Sequence, residues 1–323
     1  MESQCISINK RDGEITRREL IEMGALDKNL KIKQDGEHIL IPVNKPVEGY
    51  GNIGYDDFEE VIKEETPQEL LGTSPAYELV GDIAIIDRYE SDLKNIAEAL
   101  VKQKKIRTVL YADTPVSGEY RTRELSYLAG ENKTETIYRE NKCRYRLDVS
   151  KVYFTPRLAT ERLRIAGQVK NGETVVDMFA GIGPFSILIA KKLPDSHVIA
   201  IDKNPEAVRY LRENVELNKL ENVEVREGDV RTASNGVRDA DHVIMNLPHS
   251  GFEFLDVAFG LIKKGGIVHF YAISHEDDLF GETLLKINEI ARRCNVSIVP
   301  IEKRAVRPYA PYQYNICIDF RVT

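Results

Sequence analysis

The stretch that decides the fold is Val175-Val176-Asp177-Met178-Phe179-Ala180-Gly181-Ile182-Gly183-Pro184-Phe185. An apolar run ends in a turn with two glycines, and the sequence PFSILIAKKL then continues as a helix. A strand, a glycine turn and a helix form the first unit of a doubly wound sheet, in which ligands bind at the turn. Gly181 and Gly183 would let the backbone approach such a ligand closely, because they have no side chain to block it.

Strands and helices continue to alternate downstream of this turn. The predicted strands, separated by helical stretches, are TVVDMF, HVIAIDKN, VEVREGD, DHVIMNLP and GIVHFYAI. Such alternation indicates a mostly parallel sheet with helices on both faces. The last two strands, SIVPIEKRA and YNICIDFRV, have no helix between them, so we expect an antiparallel hairpin at the sheet edge. The predicted fold is therefore α/β, and five strand–helix units that close on a terminal antiparallel hairpin resemble a class I (Rossmann-like) methyltransferase domain.

Acidic residues stand at the ends of three successive predicted strands: Asp177, Asp202 and Asp229. In a parallel sheet these ends meet at one edge, where Asp202 can accept ribose hydroxyls and Asp229, with the backbone of Val230, can bind adenine. Asp177 would repel a pyrophosphate but attract the ammonium of a methionine moiety. Ser186 stands where a third glycine would complete a dinucleotide-binding motif. The pattern favours S-adenosylmethionine over NAD; a glycine turn without a ligand is the structural alternative, with the acids as caps or turn residues.

The fourth strand ends in Asn246-Leu247-Pro248. This resembles the Asn/Asp-Pro-Pro-aromatic signature of methyltransferases that act on nitrogen in nucleobases or amides. Because Leu247 replaces the first proline and His249 replaces the aromatic residue, a ring nitrogen is favoured over an adenine amino group as the acceptor. Asn246 and Pro248 are therefore candidate catalytic residues. His249 is a candidate base, although a lone loop histidine more often has a structural role.

Two smaller parts precede the catalytic part. We predict an N-terminal module over residues 1–60, a middle α+β domain over 66–151 and a catalytic domain over 152–323. The segment 44–72, which is rich in proline, glycine and acidic residues, has the composition of a linker. In the middle domain, ELVGDIAIID predicts one strand, Asp92 to Lys102 a helix, and RTVLYAD and CRYRLDVS further strands.

The N-terminal module has its own pattern of elements. CISINK predicts a short strand, and LKIKQDGEHILIPV predicts a hairpin that turns at Asp35-Gly36. Between them, EITRRELIEM predicts a helix with Ile15, Leu20 and Ile21 on its apolar side. A module of this size is too small for a confident catalytic core and is expected to be an appended unit.

The charge of the chain is unevenly distributed. Its net charge of −7 argues against a nucleic-acid partner. From Ala99 to Arg164, however, 15 Lys and Arg residues face 8 Asp and Glu residues, a local balance of +7 that leaves −14 for the remainder. A basic segment in an acidic chain predicts a polyanion site; a solvated face of mixed charges is the alternative.

The composition excludes several classes of protein. Of the 323 residues, 42% are hydrophobic and 30% charged, as in globular proteins. No apolar run approaches the roughly 18 residues that a membrane helix needs, and MESQCISINKRDGE lacks the pattern of a secretory signal. Four scattered cysteines without a CxxC pair predict neither a metal site nor a disulfide framework. We therefore expect a cytoplasmic protein without a metal or a membrane partner. We also expect a monomer, although these observations do not bear on the oligomeric state.

Two long tracts carry a family resemblance: GEYRTRELSYLAGEN from Gly118 to Asn132 and KVYFTPRLATER from Lys151 to Arg162. They resemble the archaeal and eukaryotic tRNA (guanine-37, N1) methyltransferases. Asp177-Met178-Phe179-Ala180-Gly181 and Asn246-Leu247-Pro248 continue the family's order, and the resemblance extends over nearly the whole chain. It implies that S-adenosylmethionine is the methyl donor and that guanine 37, in the anticodon loop of tRNA, is the acceptor.

The resemblance also implies roles for single residues. Guanine N1 carries a proton at neutral pH, and Glu161 corresponds to the family's general base. Arg121 corresponds to the residue that stabilises negative charge on guanine O6. Without the resemblance, a helix salt bridge of Glu161 with Arg157 or Arg164, and a phosphate contact of Arg121, would be preferred. The remaining positions assigned to the cofactor site are Tyr153, Arg157, Phe179 and Lys203, and Asn246 is assigned to this site as well as to catalysis.

Other functions stay open at this point. One archaeal branch of the family also C-methylates a tricyclic 4-demethylwyosine intermediate built on the same guanine, and some archaeal members have a lysine where His249 follows Asn-Leu-Pro. A methyltransferase of another RNA, a protein or a small molecule would use the same cofactor fold. A non-catalytic RNA-binding module would not need intact cofactor residues. Methyl transfer to total tRNA or to protein, and measurable cofactor binding, separate these alternatives.

Overall fold

The computed structural model describes residues 1–61, 65–87 and 92–323. The chain divides into two compact units, Met1–Thr66 and Pro67–Thr323. The predicted division of the second unit at residues 151 and 152 stays a prediction. Residues 62–64 of the predicted linker and 88–91 of the predicted middle domain lie outside the described residues.

The first unit is a four-stranded antiparallel sheet with one helix. Its elements are β1 (Glu2–Asn9), α1 (Gly13–Glu22), β2 (Lys33–Asp35), β3 (His38–Pro42) and β4 (Asn52–Asp57). The sheet has the order β2-β3-β1-β4, so the predicted strand, helix and hairpin are confirmed. The prediction of a linker over residues 44–72 was wrong for β4. This strand is mostly exposed, and polar, glycine-rich edge strands lack the alternation that identifies a strand in a sequence.

The buried side of α1 differs from the predicted one. Leu20 is fully buried, but Ile15 is 63% exposed, so its place on the apolar side was wrong. Gly13 and Thr16 lie on the buried face with Leu20 instead, and the side chain of Ile39 packs close to the Gly13 Cα. A small glycine and threonine allow the helix to approach the sheet, which a search for large apolar residues does not detect.

The second unit begins with a small mixed sheet. Its elements are α2 (Pro67–Leu71), β5 (Glu78–Val80), β6 (Ile83–Ile86), α3 (Leu93–Val101), β7 (Thr108–Ala112) and β8 (Leu125–Gly130), and the strand order is β5-β6-β7-β8. The single strand predicted over ELVGDIAIID is two antiparallel strands. Gly81, with φ of +62°, reverses the chain between them. Next come β9 (Glu135–Glu140) and β10 (Cys143–Asp148), which form a separate hairpin.

The largest sheet follows and has seven strands in the order β13-β12-β11-β14-β15-β17-β16. Its strands are β11 (Thr174–Asp177), β12 (His197–Asp202), β13 (Val223–Glu227), β14 (Ala240–Met245), β15 (Ile262–His275), β16 (Ile298–Ala310) and β17 (Gln313–Val322). The helices of this part are α4 (Ala159–Gln168), α5 (Pro184–Lys192), α6 (Pro205–Leu217), α7 (Val230–Ala233), α8 (Leu255–Leu261) and α9 (Gly281–Arg293).

The direction of the strands confirms the predicted fold class. The strands from β13 to β15 are parallel, whereas β17 runs antiparallel to both β15 and β16. Two apolar clusters lie on the two faces of this sheet, so helices cover it on both sides. The carboxyl ends of β11, β12, β13 and β14 consequently meet at one edge, where every acid predicted to bind the cofactor is placed.

The β10 strand belongs to the same core as the large sheet. Tyr145 and Leu147 are fully buried in the cluster that contains the α4 and α5 side chains. The side chains of Asn214 on α6 and of Asn218 just after it accept hydrogen bonds from the backbone of β10 at 2.6 and 3.0 Å. Residues on both sides of the predicted boundary at 151 therefore share one hydrophobic core.

Two searches of the described residues concern alternative functions. Within the described ranges, none of the helices has the length and apolarity to cross a membrane. In the same residues, His, Cys, Asp and Glu side chains form no group of three or more that could hold a metal ion. All four cysteines are free thiols.

Candidate active site

The glycine turn lies at the carboxyl edge of the large sheet and is anchored on both sides. The Gly181 N–H donates to Asp202 Oδ2 at 2.6 Å, and the Ala180 N–H donates to the Ile201 carbonyl at 2.8 Å. Gly181 has φ of +56°, a conformation that side chains rarely adopt. A Cβ added there would have only the Tyr153 carbonyl oxygen near it, at 4.0 Å, so the outer side of the turn is open.

Gly183 has a packing role in addition to the predicted one. A Cβ on this residue would lie 2.3 Å from Leu211 Cδ1 and 3.0 Å from Ile187 Cδ1. Gly183 therefore allows α5 to start close against α6, while its contact with a ligand stays a prediction. Its φ of +89° lies in the left-handed region, which glycine adopts without strain.

Asp177 is buried at the end of β11 and has one free carboxylate oxygen. Ser186 Oγ donates to Asp177 Oδ2 at 2.7 Å, whereas Oδ1 is buried without a hydrogen-bond partner. Burial, together with the neighbouring charge of Asp202, raises the pKa of Asp177 to about 7. A buried acceptor without a donor is costly to the fold, so the ammonium group of a methionine moiety fits this position. The residues present thus fit S-adenosylmethionine.

The other two acids also contact backbone groups. Asp202 accepts from the Gly181 and Asn204 N–H groups, and its burial raises its pKa. Asp229 accepts from the Arg231 N–H and caps α7, which Val230 begins. Asp229, for which a Gly-Asp turn was the alternative role, is a helix cap, and Asn204 rather than Asp202 caps α6. Capping leaves the remaining lone pairs of each carboxylate available to a ligand at this edge.

The four positions assigned to the cofactor site by resemblance are spread more widely. Phe179 packs edge-on against the Phe254 ring, with centroids 5.1 Å apart. Lys203 Nζ lies 2.6 Å from Glu119 Oε1. This ion pair connects the loop after β7 with the carboxyl edge of the large sheet, where the cofactor is predicted to bind. Tyr153 lies beneath the Arg121 guanidinium, described next, and Arg157 pairs instead with Glu78 of β5 at 3.7 Å.

Arg121 lies on the loop between β7 and β8 in a strained conformation. Its φ of +53° is unusual for a residue with a side chain. The guanidinium lies over the Tyr153 ring at 4.8 Å from its centroid, and its Nε is buried without a partner. Among the hydrogen bonds of the described residues, none joins Arg121 to Glu161. Strain together with an unused donor is typical of a side chain that is held ready for a ligand.

Glu161 lies in the first turn of α4 and is only 3% exposed. Arg164 holds it with two hydrogen bonds, Nη2 to Oε1 at 2.7 Å and Nε to Oε2 at 3.0 Å. Tyr271 donates its hydroxyl to Oε1 at 2.8 Å, and Arg304 Nε lies 3.7 Å from Oε2. The salt bridge with Arg164, which was the structural alternative for this residue, is therefore present.

The surroundings of Tyr271 place Glu161 beside the cofactor edge. Tyr271 follows Phe270, the register partner of Met245, and Asn246 comes directly after Met245. The Tyr271 ring also lies 6.1 Å from the ring of Phe185 in the first turn of α5. Glu161 is consequently close to both the end of β14 and the helix that follows the glycine turn.

The loop after β14 brings together Asn246, Pro248 and His249. All three follow the last residue of the strand, and the Gly251 N–H donates to the Leu247 carbonyl to close the loop. His249 Nε2 is 3.2 Å from the hydroxyl of Tyr309 in the β16–β17 hairpin. Burial lowers the pKa of His249, and the charge of Arg121 lowers it further. His249 on this loop is therefore close both to Tyr309 of the β16–β17 hairpin and to Arg121.

Several residues of this region were missed in the sequence. Tyr271, Asp319 and His269 lie on the inner strands β15 and β17. Tyr271 contacts Glu161 directly, Asp319 contacts it through Arg164, and His269 contacts Asp319. A signal was available in the sequence: GIVHFYAI places His269 and Tyr271, and YNICIDFRV places Asp319, inside apolar strands. Buried polar groups require partners, but a sequence does not say which strands are neighbours.

The strand order, the glycine turn and the three acids at the carboxyl edge define a class I methyltransferase. The sequence matches the family described as the TRM5/TYW2 methyltransferase domain over residues 136–299. Residues 5–51 match the tRNA methyltransferase 5 N-terminal domain, and residues 58–134 match the TYW2 N-terminal domain. The chain belongs to the TRM5/TYW2 methyltransferase family, as the resemblance predicted.

Individual relatives support this membership. The chain is 45% identical to the tRNA (guanine(37)-N(1))-methyltransferase Trm5b of Pyrococcus abyssi, over 99% of each chain. It is similar to the solved complex of aTrm5 and tRNALeu, with 35% identity, a TM-score of 0.71 and 99% of each chain covered. It is also similar to M. jannaschii TYW2 in complex with AdoMet, with 31% identity, a TM-score of 0.63, and 76% of this chain and 99% of that one covered.

Proposed function

We propose that this protein transfers a methyl group from S-adenosylmethionine to N1 of guanine 37 in the anticodon loop of tRNA. One observation carries the proposal. The buried carboxylate of Glu161 lies beside the end of β14 and the first turn of α5, in a chain similar over 99% of its length to a guanine-37 methyltransferase. A carboxylate in that place is suited to accept a proton from a planar ring nitrogen.

The cofactor is proposed to lie along the carboxyl edge of the large sheet. The free Oδ1 of Asp177 would hold the ammonium, and the open side of Gly181 admits the ligand. Asp202 would accept the ribose hydroxyls, and Asp229 with the Val230 N–H would hold the adenine. When bound, S-adenosylmethionine supplies an electrophilic methyl group on its sulfonium, so a metal ion is not needed.

Glu161 takes the N1 proton in this proposal. A guanine with its N1 proton in place has no free lone pair in the ring plane at that atom, so proton removal must accompany or precede methylation. Tyr271 and Arg164 hold the carboxylate in one orientation. The base is therefore preorganised for proton transfer. Asn246 and Pro248, on the loop beside it, are proposed to position the guanine.

Arg121 stabilises the charge that proton loss creates. Removal of the N1 proton moves negative charge onto O6, and a guanidinium donates strong hydrogen bonds to such an oxygen. The unused Nε of Arg121 and its strained backbone are consistent with this role. Tyr153 beneath the guanidinium limits its movement through a cation–π contact.

Contacts with tRNA are proposed for the basic segment and for the first unit. The basic segment contributes Lys105, Lys133, Arg139 and Arg146 to a groove of about 840 Å³. Lys133 is held by Asp82 and Glu131, whereas Arg139 is exposed, so the groove offers positive charge to phosphates. The first unit, Met1–Thr66, is proposed to recognise tRNA shape away from the reacting base.

Two further properties complete the proposal. We propose that the enzyme works in the cytoplasm with reduced thiols, and that it acts as a monomer. C-methylation of a 4-demethylwyosine intermediate is not favoured. Two relatives that are similar to this chain over 98% or more of both lengths are named for guanine 37 alone.

Methyl transfer to defined substrates tests the activity. We expect the protein to transfer radiolabelled methyl to a tRNA transcript with guanosine 37 and not to the same transcript with adenosine 37. Labelling of total protein in place of tRNA would contradict the proposal. Equal labelling of both transcripts would place the acceptor elsewhere in the RNA.

A further inference from the structure

A buried chain of hydrogen-bonded polar residues is linked to Glu161 through Arg164. The proposed reaction gives these residues no role. Asp319, at the centre of β17, is 1% exposed. Its Oδ2 accepts from Arg164 Nη1 at 2.5 Å and from Gln168 Nε2 at 2.8 Å. Its Oδ1 is 2.8 Å from His269 Nδ1, and His269 Nε2 is 3.0 Å from His242 Nδ1. Buried polar groups are costly to the fold unless they are hydrogen-bonded. Each of these groups has a hydrogen-bond partner in this chain.

The hydrogen bond between Asp319 and His269 has a fixed direction. A carboxylate can only accept, so the His269 Nδ1–H donates to Asp319, whereas the donor between His269 Nε2 and His242 Nδ1 depends on the tautomers of the two rings. The two rings are parallel within 1°, and His242 Nε2 lies 3.2 Å from Glu173 Oε2. Burial would raise the pKa of Asp319, but the hydrogen bonds from His269 and Arg164 hold it well below its usual range. Asp319 is therefore a fixed negative charge inside the protein.

Arg164 connects that charge to Glu161. Its Nη1 faces Asp319 and Glu302, while its Nε and Nη2 face Glu161. One guanidinium is thus shared among three carboxylates, of which Glu161 and Asp319 are buried. These contacts set the orientation of the guanidinium plane. The charges of the other two carboxylates also reduce the electrostatic effect of Arg164 on Glu161.

We infer that Asp319, supported by His269, is a positioning residue for the proposed base Glu161 and acts on it through Arg164. The inference rests on the proposed function, because it assumes that Glu161 takes the N1 proton. Asp319 holds the Arg164 guanidinium in the plane that meets Glu161 with two hydrogen bonds. The negative charge of Asp319 also offsets part of the electrostatic effect of Arg164 on Glu161. A carboxylate that alone held the whole charge of an arginine would accept a proton less readily.

The Asp319→Asn variant keeps the shape of the side chain and removes its charge. Arg164 is then shared by fewer carboxylates, so we expect the single-turnover rate of methyl transfer to fall by roughly 10-fold or more. The affinities for S-adenosylmethionine and for tRNA should change little. Asp241→Asn is the matched control: it alters a carboxylate on β14 that is bonded to the Thr174 N–H and to Lys263, and it should leave the rate unchanged.

A double-mutant cycle separates positioning from general disruption. If Asp319 acts through Glu161, adding Asp319→Asn to Glu161→Gln should slow the reaction no further, because the group that it positions is already inactive. A further loss in the Glu161→Gln background, equal to the loss in the wild type, would overturn the inference. So would an Asp319→Asn enzyme with the wild-type rate.

Two substitutions of His269 test the same idea without removing the Asp319 charge, and they decide the matter if Asp319→Asn does not fold. His269→Asn can place an amide N–H where Nδ1 lies, whereas His269→Leu has a methyl group there. We expect the Leu variant to be slow and the Asn variant to recover most of the rate. Equal rates in the two folded variants would contradict the inference. If instead Glu161→Gln itself transfers methyl at the wild-type rate, the proposed base is wrong, a result distinguishable from failure of Asp319 alone.

Discussion

Glu161 already has donors on both oxygens before any substrate binds. Arg164 and Tyr271 donate to it at 2.7 to 3.0 Å. A structural salt bridge and a general base are not exclusive roles for such a residue, since catalytic groups are held in place by the same contacts that stabilise them. The two roles differ in what a neutral isostere does, because an amide keeps the shape but cannot take a proton.

The Glu161→Gln variant is the first test at this scale. We expect the single-turnover rate of methyl transfer at N1 to fall by roughly 10²-fold or more, the usual range for loss of a general base. Arg121→Ala should also slow transfer, and the double variant should lose less than the sum of the two free-energy costs, because both residues act on one proton transfer. A wild-type rate for Glu161→Gln would leave Glu161 a salt-bridge partner and make His249 the next candidate base.

Asp177 makes the affinity for the cofactor depend on pH. Burial raises its pKa to about 7, so in the free protein the carboxyl group is protonated below that pH and ionised above it. Only the ionised form attracts an ammonium, so we expect the dissociation constant of S-adenosylmethionine to fall as the pH rises from 6 to 7.5. Calorimetry on the wild type and on Asp177→Asn measures this. A pH-independent wild type, or a variant with the same slope, would show that Asp177 does not hold the ammonium.

At the scale of elements, the junction of α5 and α6 depends on a missing side chain. Gly183→Ala would place a methyl group 2.3 Å from Leu211 Cδ1 in a fully buried contact. Gly236 is the matched control, because its φ of +81° is similar and nothing lies within 4 Å of an added Cβ. Both variants lose about 1 kcal/mol from the positive φ, and Gly183→Ala should lose about 1–3 kcal/mol more from overpacking. Denaturant unfolding compares them, and equal losses would contradict close packing at Gly183.

The elements were predictable where burial imposed a pattern. All seven strands of the large sheet were found, since apolar runs bounded by helices and glycines have few other readings. The edge strand β4 was missed because its side chains are mostly exposed. The Asp319 chain was missed because it depends on three strands becoming neighbours, which long-range pairing decides and local pattern does not. The packing role of Gly183 was missed for the same reason, since Leu211 lies 28 residues away.

At the scale of the molecule, we expect the first unit to contribute to tRNA binding and the second unit to bind the cofactor. The first unit has its own core, in which Ile6, Leu20 and Ile41 are fully buried. Removal of residues 1–66 should therefore weaken tRNA binding more than it changes the affinity for S-adenosylmethionine. Filter binding of tRNA and calorimetry of the cofactor measure the two effects. Loss of cofactor binding in a folded truncated protein would contradict the division, and unchanged tRNA affinity would remove the first unit from recognition.

The identity of the methylated atom tests the central claim most directly. A tRNA transcript with guanosine 37 is incubated with the pure protein and S-adenosylmethionine, then cut into fragments and nucleosides for mass spectrometry against the isomers of methylguanosine. The account predicts N1-methylguanosine, located at position 37 and formed without added metal. Methyl on another atom of guanine, on another nucleoside or on no tRNA at all would contradict it.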